Sequence, residues 1–243
     1  MQPKISCICI THQKDESLQR AINCFLAQTY ANKELVILYE SEDEIAKTVL
    51  GKYQTTPSIT NICVPSIPKL SLGALRNIAI VKSSGDYFCQ WDDDDWYSCN
   101  RLETQMQLIG QNNGLLLDQW FIFDRSAAQA YLSNKRIWEG SLLCKKTFKK
   151  EGDFYPPIAK GEDTDLIDQL TASASLATMS APYLYIYVYD GKNTWDKSHW
   201  NAIFNASTPL TKWLSKDIEY ILDQKYDAFE ASYRLEQLYY SLT

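Results

Sequence analysis

The sequence predicts an α/β protein: a parallel, doubly wound sheet flanked by helices, followed by a C-terminal helical extension. Two observations carry that expectation. Short apolar, β-branched runs alternate with segments whose apolar residues recur at helical spacing, as in βαβ units. Four aspartates, Asp92 to Asp95, directly follow the run that ends at Trp91, and ligands of such sheets bind beyond the carboxyl ends of the strands.

Residues 4–11 are mostly apolar and β-branched, the pattern of a buried strand. Asp15 or Ser17 can cap the next segment, where Leu18, Ile22, Phe25 and Leu26 recur at helical spacing. Residues 34–38 form a second strand, 44–51 a short helix and 58–64 a third strand. A loop marked by Pro65 and Pro68 leads into a helix over 72–82, which Gly85 ends before a fourth strand at 86–91. A helix follows the aspartates over 99–111, with Leu102, Met106 and Leu108 among its apolar positions. Further strands are expected at 115–123, 137–143 and 183–189, and a helix at 166–170. From 209 to 242 the pattern is helical and aromatic-rich, with Trp213, Ile218, Ile221, Phe229, Tyr233, Leu238 and Tyr239.

The 243 residues are ample for burying a core. Nine Gly and eight Pro are too few for a disordered or collagen-like chain. A net charge of −6 argues against a nucleic-acid partner, because counterion release needs clustered Lys and Arg. Seven Cys without a C-x-x-C pair indicate neither a disulfide framework nor a zinc site; they read as reduced thiols in a cytosol. The first residues lack a signal-peptide design. The longest uncharged stretch, 169–189, carries five Ser or Thr, whereas a membrane span needs about 20 predominantly apolar residues. The expectation is a soluble cytoplasmic protein without a transmembrane segment.

Carboxylates about 5 Å apart repel by about 3 kcal/mol per pair at an effective dielectric of about 20. A cation relieves that cost, and oxygen ligands favour hard ions such as Mg²⁺ or Mn²⁺. The residues alone leave two readings open, a cation site and a solvated acidic turn. An EF-hand loop does not fit, since Tyr97 stands where that loop needs Gly.

The run Phe88-Cys-Gln-Trp-Asp-Asp-Asp-Asp-Trp-Tyr-Ser-Cys-Asn-Arg-Leu-Glu-Thr-Gln105 resembles the DXD region of family 2 glycosyltransferases. The opening Ile5-Ser-Cys-Ile-Cys-Ile-Thr11, then Arg20-Ala-Ile22 and Leu26-Ala-Gln-Thr-Tyr30, resembles the same family, as do Leu72-Gly-Ala-Leu-Arg-Asn77 and Gly85-Asp-Tyr-Phe88. Trp138-Glu-Gly-Ser141, Gly161-Glu-Asp-Thr164 and Gly191-Lys-Asn-Thr-Trp195 resemble its later blocks, in the same order.

The resemblance implies a GT-A fold, a Rossmann-like mixed sheet flanked by helices, over 1–208. Its nucleotide-sugar-binding half would be 1–95 and its acceptor half 96–208, with 209–243 the helical extension. It also implies a nucleotide-diphospho-sugar donor, a UDP-sugar first among them, an Mn²⁺ or Mg²⁺ ion, and inverting transfer to a hydroxyl. The acceptor would be a sugar or a lipid-linked sugar in surface-glycan synthesis, at the inner face of a membrane if lipid-linked. By position, Asp94 holds the metal and Asp92 the ribose or the metal's water shell. Asp93 is the variable middle residue, Asp95 supports the loop, and Thr11 joins the donor-contacting set. Arg76 matches the Arg that approaches the donor, against a plain helix-surface reading. Asp163 matches the general base, with Glu162 second; the plainer reading is an acidic helix N-terminus. Trp138 and Glu139 would line the sugar or acceptor pocket, although Trp138 suits a core equally well.

Departures from the family pattern fall at three places, the first being Ile10-Thr11-His12-Gln13, where the family usually has Pro-Thr-Tyr-Asn. The base-contacting acidic pair reads Tyr39-Glu40, which makes Glu40 the candidate. Where many relatives carry a metal-binding His, this chain has Asp190, so Asp190 or His199 would complete the metal shell. Two rivals follow. A nucleotidyltransferase would want a Gly-rich phosphate loop, and 11–17 contains no Gly. A non-enzymatic nucleotide-sugar-binding relative is suggested by Glu40 and Asp190. The C-terminal aromatic stripe reads as a flap over the domain. A homodimer contact or peripheral membrane docking is the lesser reading, since Lys212, Lys216 and Lys225 are balanced by Asp217, Glu219, Asp223 and Asp227.

Overall fold

A computed structural model describes residues 2–149 and 153–242. Its first sheet gathers β1 (Ile5–Ile10), β2 (Lys33–Glu40), β3 (Ile59–Val64), β4 (Tyr87–Gln90), β6 (Gly114–Leu117), β9 (Trp138–Lys145) and β10 (Leu176–Met179), in the order β10-β6-β9-β4-β1-β2-β3. The helices α1 (Glu16–Leu26), α2 (Glu44–Gly51) and α3 (Leu72–Lys82) make the crossovers between β1, β2, β3 and β4. These four strands pair in parallel, with Ile5 opposite Lys33 and Cys7 opposite Cys89. The core residues of β1, β2 and β4 are buried on both faces, in two clusters, because helices cover both sides, whereas the edge strand β3 exposes Thr60 and Asn61.

The second half departs from an all-parallel sheet. β9 runs antiparallel to both β4 and β6. A second sheet, ordered β12-β8-β7-β11-β5, gathers β5 (Trp96–Tyr97), β7 (Phe121–Asp124), β8 (Gln129–Leu132), β11 (Tyr185–Tyr189) and β12 (Thr208–Pro209). The strand expected at 115–123 is therefore two. Leu115 to Leu117 belong to the first sheet and Phe121 to Phe123 to the second, with Asp118 and Gln119 at the crossing. Both pieces are wholly buried, so hydrophobicity alone could not separate them. The helix after the aspartates is the shorter α4 (Arg101–Leu108), and α5 (Thr164–Ala172) and α6 (Lys197–Asn205) precede and follow β11.

The C-terminal helical pattern also divides, into α7 (Lys212–Leu222) and α8 (Ala228–Tyr240). Gln224 adopts a left-handed φ of 55° between them, and the Asp227 carboxylate caps α8 by accepting from Phe229 and Glu230 N–H. Leu214, Ile218, Leu222, Leu235 and Leu238 are buried within the main core, and Ser232 Oγ accepts from Cys99 N–H at 2.9 Å. The aromatic stripe splits accordingly: Trp213, Phe229 and Tyr233 stay exposed while the aliphatic face packs down. Among the described residues, no helix is long and apolar enough to cross a membrane.

One carboxylate ties the lower ends of the central strands. Glu34 accepts from Lys4 Nζ (2.8 Å), Ser6 Oγ (2.7 Å) and Ser84 N–H (2.6 Å). Gly85 lies so close to β1 that a Cβ there would stand 2.4 Å from Ser6 Oγ, which accepts the Gly85 N–H instead. Burial opposes the Glu34 charge, but the donors from Lys4, Ser6 and Ser84 prevail and pull its pKa from 4.5 to about 2. A depressed folded-state pKa contributes stability that is present above the unfolded value and is lost as pH falls through the folded one. Glu34→Gln should therefore lower Tm at pH 7, with the gap to wild type narrowing from about pH 4.5 towards pH 2. Thermal melts across that range check this; a pH-independent gap would contradict it.

Candidate active site

The four aspartates form the turn between β4 and β5, each in a different environment. Trp91 fixes its start: the ring is fully buried, its indole N–H donates to Ala21 O at 3.0 Å, and it packs on Tyr97 at 4.0 Å. Asp95 is fully buried and faces β11, accepting from Val188 N–H at 2.9 Å and from the Tyr185 hydroxyl. Burial and the neighbouring Asp94 push its pKa well up. It anchors the turn, as the sequence led one to expect. Asp93 is buried beside Thr11; burial and then Asp94 push it up to about 8, while the Thr11 hydroxyl opposes the shift. Asp92 accepts from Arg76 at 3.1 Å, whereas Asp94 accepts from Lys14 at 3.3 Å and Asn193 at 3.1 Å.

Arg76 is buried rather than on a helix surface. Its guanidinium lies 2.5 Å from Glu162, 3.1 Å from Asp92 and 3.9 Å from Asp163, so it joins the end of β4 to the start of α5. The surrounding motif explains how. A Cβ on Gly73 would lie 2.0 Å from Pro156 O and 3.2 Å from Glu162 Cβ, so only Gly lets that segment approach α3. Asn77 accepts from Phe154 and Tyr155 N–H, each at 3.0 Å, and donates to Tyr155 O at 2.7 Å. Burial costs Arg76, yet Asp92 and Glu162 hold its pKa above the ordinary value. Burial raises the pKa of Glu162 and of Asp163, with Arg76 opposing both. Glu162 is closed off by its ion pair, while the Asp163 side chain remains 26% exposed.

Asp92, Asp93, Asp94, Arg76, Trp138, Glu139, Glu162, Asp163 and His199 line one cleft of about 350 Å³. Burial raises the pKa of Glu139. Trp138 is half-buried and stacks on Trp120 at 4.7 Å, so it serves the core and the cleft together. His199 stacks on Trp195 at 4.4 Å, and burial with Arg136 lowers its pKa. Asp190 lies across Lys14 from Asp94, bonded to the same ammonium at 3.1 Å. Thr11 and Glu40, at the ends of β1 and β2, fall outside the cleft lining. Glu40 pairs with Lys69 and approaches His12 at 3.6 Å, but its Oε1 is buried with no hydrogen-bond partner.

Among the described residues no three His, Cys, Asp or Glu side chains converge as a metal-holding group. Asp94 and Asp190 nevertheless converge on one cation, the Lys14 ammonium. Two carboxylates with space for phosphate oxygens and water suit Mg²⁺ or Mn²⁺, so the donor set fits such an ion. Sequence reasoning missed Lys14, Gly73, Asn77 and Asn193 as site residues. Three of them, Gly73, Asn77 and Asn193, stood inside quoted motifs, and Lys14 stands two residues from Glu40's neighbour His12, but nothing in spacing revealed their contacts.

The model of the family described as "Glycosyl transferase family 2" matches residues 6–162, ending one residue before Asp163. An Escherichia coli relative, UDP-Glc:alpha-D-GlcNAc-diphosphoundecaprenol beta-1,3-glucosyltransferase WfgD, is 28% identical over 109 residues, 45% of this chain and 42% of that enzyme. A Campylobacter jejuni relative, GalNAc(5)-diNAcBac-PP-undecaprenol beta-1,3-glucosyltransferase, is 21% identical over 98% of this chain and 83% of its own length. The crystal structure of Staphylococcus aureus TarS 1–349 in complex with UDP-GlcNAc superposes with a TM-score of 0.65 at 14% identity, covering 79% of this chain and 60% of that one. At that identity the likeness concerns the fold.

Breaking a buried ion pair by removing one partner costs about 3–5 kcal/mol, because the other charge is left uncompensated. Arg76→Met should destabilise the protein by about that much, and adding Glu162→Met should restore half or more of it. Urea unfolding of the two single variants and the double decides this; additive losses would contradict the coupling.

Proposed function

The chain belongs to glycosyl transferase family 2 and has its GT-A fold, and from that premise we propose that it is an inverting glycosyltransferase taking a UDP-sugar donor and a lipid-linked sugar acceptor. One observation carries the reading: acidic groups from three separate motifs meet in one cleft, with Arg76 bridging Asp92 to Glu162 and Asp163. The buried, unpartnered Glu40 Oε1 is compatible with uridine, because it needs an N–H donor and a base with a ring N–H, uracil among them, supplies one. The undecaprenol-linked substrates named for the two relatives support the acceptor class.

In this reading Asp163 accepts the proton of the acceptor hydroxyl as its oxygen attacks the anomeric carbon. The bond from that carbon to the diphosphate oxygen breaks on the opposite face, and the nucleoside diphosphate leaves. Asp163 suits the role better than Glu162, since Arg76 holds it only loosely, at 3.9 Å against 2.5 Å for Glu162, and its side chain is 26% exposed. Arg76, which lines the cleft between Asp92 and Glu162, would face the donor. Asp94 and Asp190 would hold an Mn²⁺ or Mg²⁺ ion, which supplies Lewis-acid stabilisation of the leaving diphosphate. Glu139 and Trp138, which line the same cleft, would border the acceptor.

The experiment separates the two acidic sites. Loss of a general base costs on the order of 10²–10⁴-fold in rate, so Asp163→Asn should abolish most transfer while calorimetry still shows donor binding in Mn²⁺. Asp94→Asn should weaken both. Near-normal transfer by Asp163→Asn would move the base to Glu162 or Glu139, and normal donor binding by Asp94→Asn would refute the metal assignment.

A further inference from the structure

We infer, resting on the donor-site reading above, that Lys14 is an exchangeable counter-cation: it holds Asp94 and Asp190 in the free chain, and it turns to the donor diphosphate when a divalent ion takes those two carboxylates. The two aspartates lie far apart in sequence, one beyond β4 and one beyond β11, yet a single ammonium bonds both, at 3.3 and 3.1 Å. The Lys14 side chain is only 14% exposed.

The local structure suits exchange. Lysine is a point charge on a flexible stem, without the fixed fork of arginine. Its base is anchored, because the preceding Gln13 takes a left-handed φ of 52° and donates its N–H to Asp43 at 2.6 Å. Each carboxylate keeps a second donor if Lys14 departs. Asn193 Nδ2 bonds Asp94 at 3.1 Å, and Lys192 N–H bonds Asp190 at 2.8 Å. Asp94 lines both the cleft and an adjoining opening of about 910 Å³, which Lys14 and Asp190 also line. A released ammonium therefore stays beside the place where the diphosphate would lie. The exchange makes ion and donor favour each other, and such coupling is reciprocal.

Mn²⁺ is titrated into the full chain by calorimetry, with and without UDP. Site couplings of this kind are typically 5–150-fold. Lys14→Met should bind Mn²⁺ alone about 10-fold more tightly than wild type, and the gain conferred by UDP should shrink by about 10-fold. Lys14→Gln should behave alike. Lys225→Met, which removes an equal charge from the lining of the same opening, should change Mn²⁺ affinity by less than about 2-fold. A structural defect would weaken binding rather than tighten it. Mn²⁺ affinity equal to wild type, or weaker, in both folded Lys14 variants would overturn the exchange alone. Absence of Mn²⁺ binding in every protein, with UDP present, would overturn the metal reading and the exchange with it.

Discussion

Arg76 brings one positive charge into a buried pocket where Asp92, Glu162 and Asp163 bring three carboxylates. At the effective dielectric of such a site, like charges within a few ångströms repel by kilocalories per mole, so the cleft closes only around that guanidinium. The requirement reaches back into the sequence. Gly73 clears the backbone for the segment that carries Glu162, and Asn77 ties the backbone of Phe154 and Tyr155 to the same helix. A motif that reads as a helix start, Leu72-Gly-Ala-Leu-Arg-Asn77, is thus the dock on which the second acidic segment is built.

The remaining aspartates are managed by separation. Asp95 is given to Tyr185 and Val188 of the second sheet, Asp93 sits beside Thr11, and Asp94 is shared between Lys14 and Asn193. The consequence is two kinds of carboxylate, in the cleft and in the opening that adjoins it at Asp94. Asp94 and Asp190 face a cation, which suits the proposed donor side. Asp163 and Glu139 keep raised pKa values through burial, which suits proton transfer on the acceptor side. The second sheet matters to function for this reason: β11 supplies the anchor of Asp95 and delivers Asp190 beyond its end.

Much of the first half was legible because βαβ units announce themselves. The helices over 44–51 and 72–82 are where periodicity put them. The acidic turn and the Glu162-Asp163 pair were legible as contiguous runs. The division at Asp118 was not, because both flanking pieces are buried and apolar and differ only in the sheet they join. The strands at Gln129–Leu132 and Leu176–Met179 are short and half-buried, leaving no alternation to read. The break at Gln224 rests on one left-handed residue and an aspartate cap, signals that a strong apolar stripe conceals. Lys14 and Asn193 escaped for another reason: their importance lies in a contact between positions far apart in sequence, which spacing does not encode.

The central claim is that the acidic cleft cleaves a nucleotide sugar at its anomeric carbon. The most direct measurement incubates the full chain and Mn²⁺ with a panel of nucleotide sugars and a polyprenol-diphosphate-linked sugar, and identifies the nucleotide released. The account predicts UDP, released from a UDP-sugar in step with glycosylation of the acceptor. Pyrophosphate release, or binding across the panel without any nucleoside diphosphate released, would contradict it.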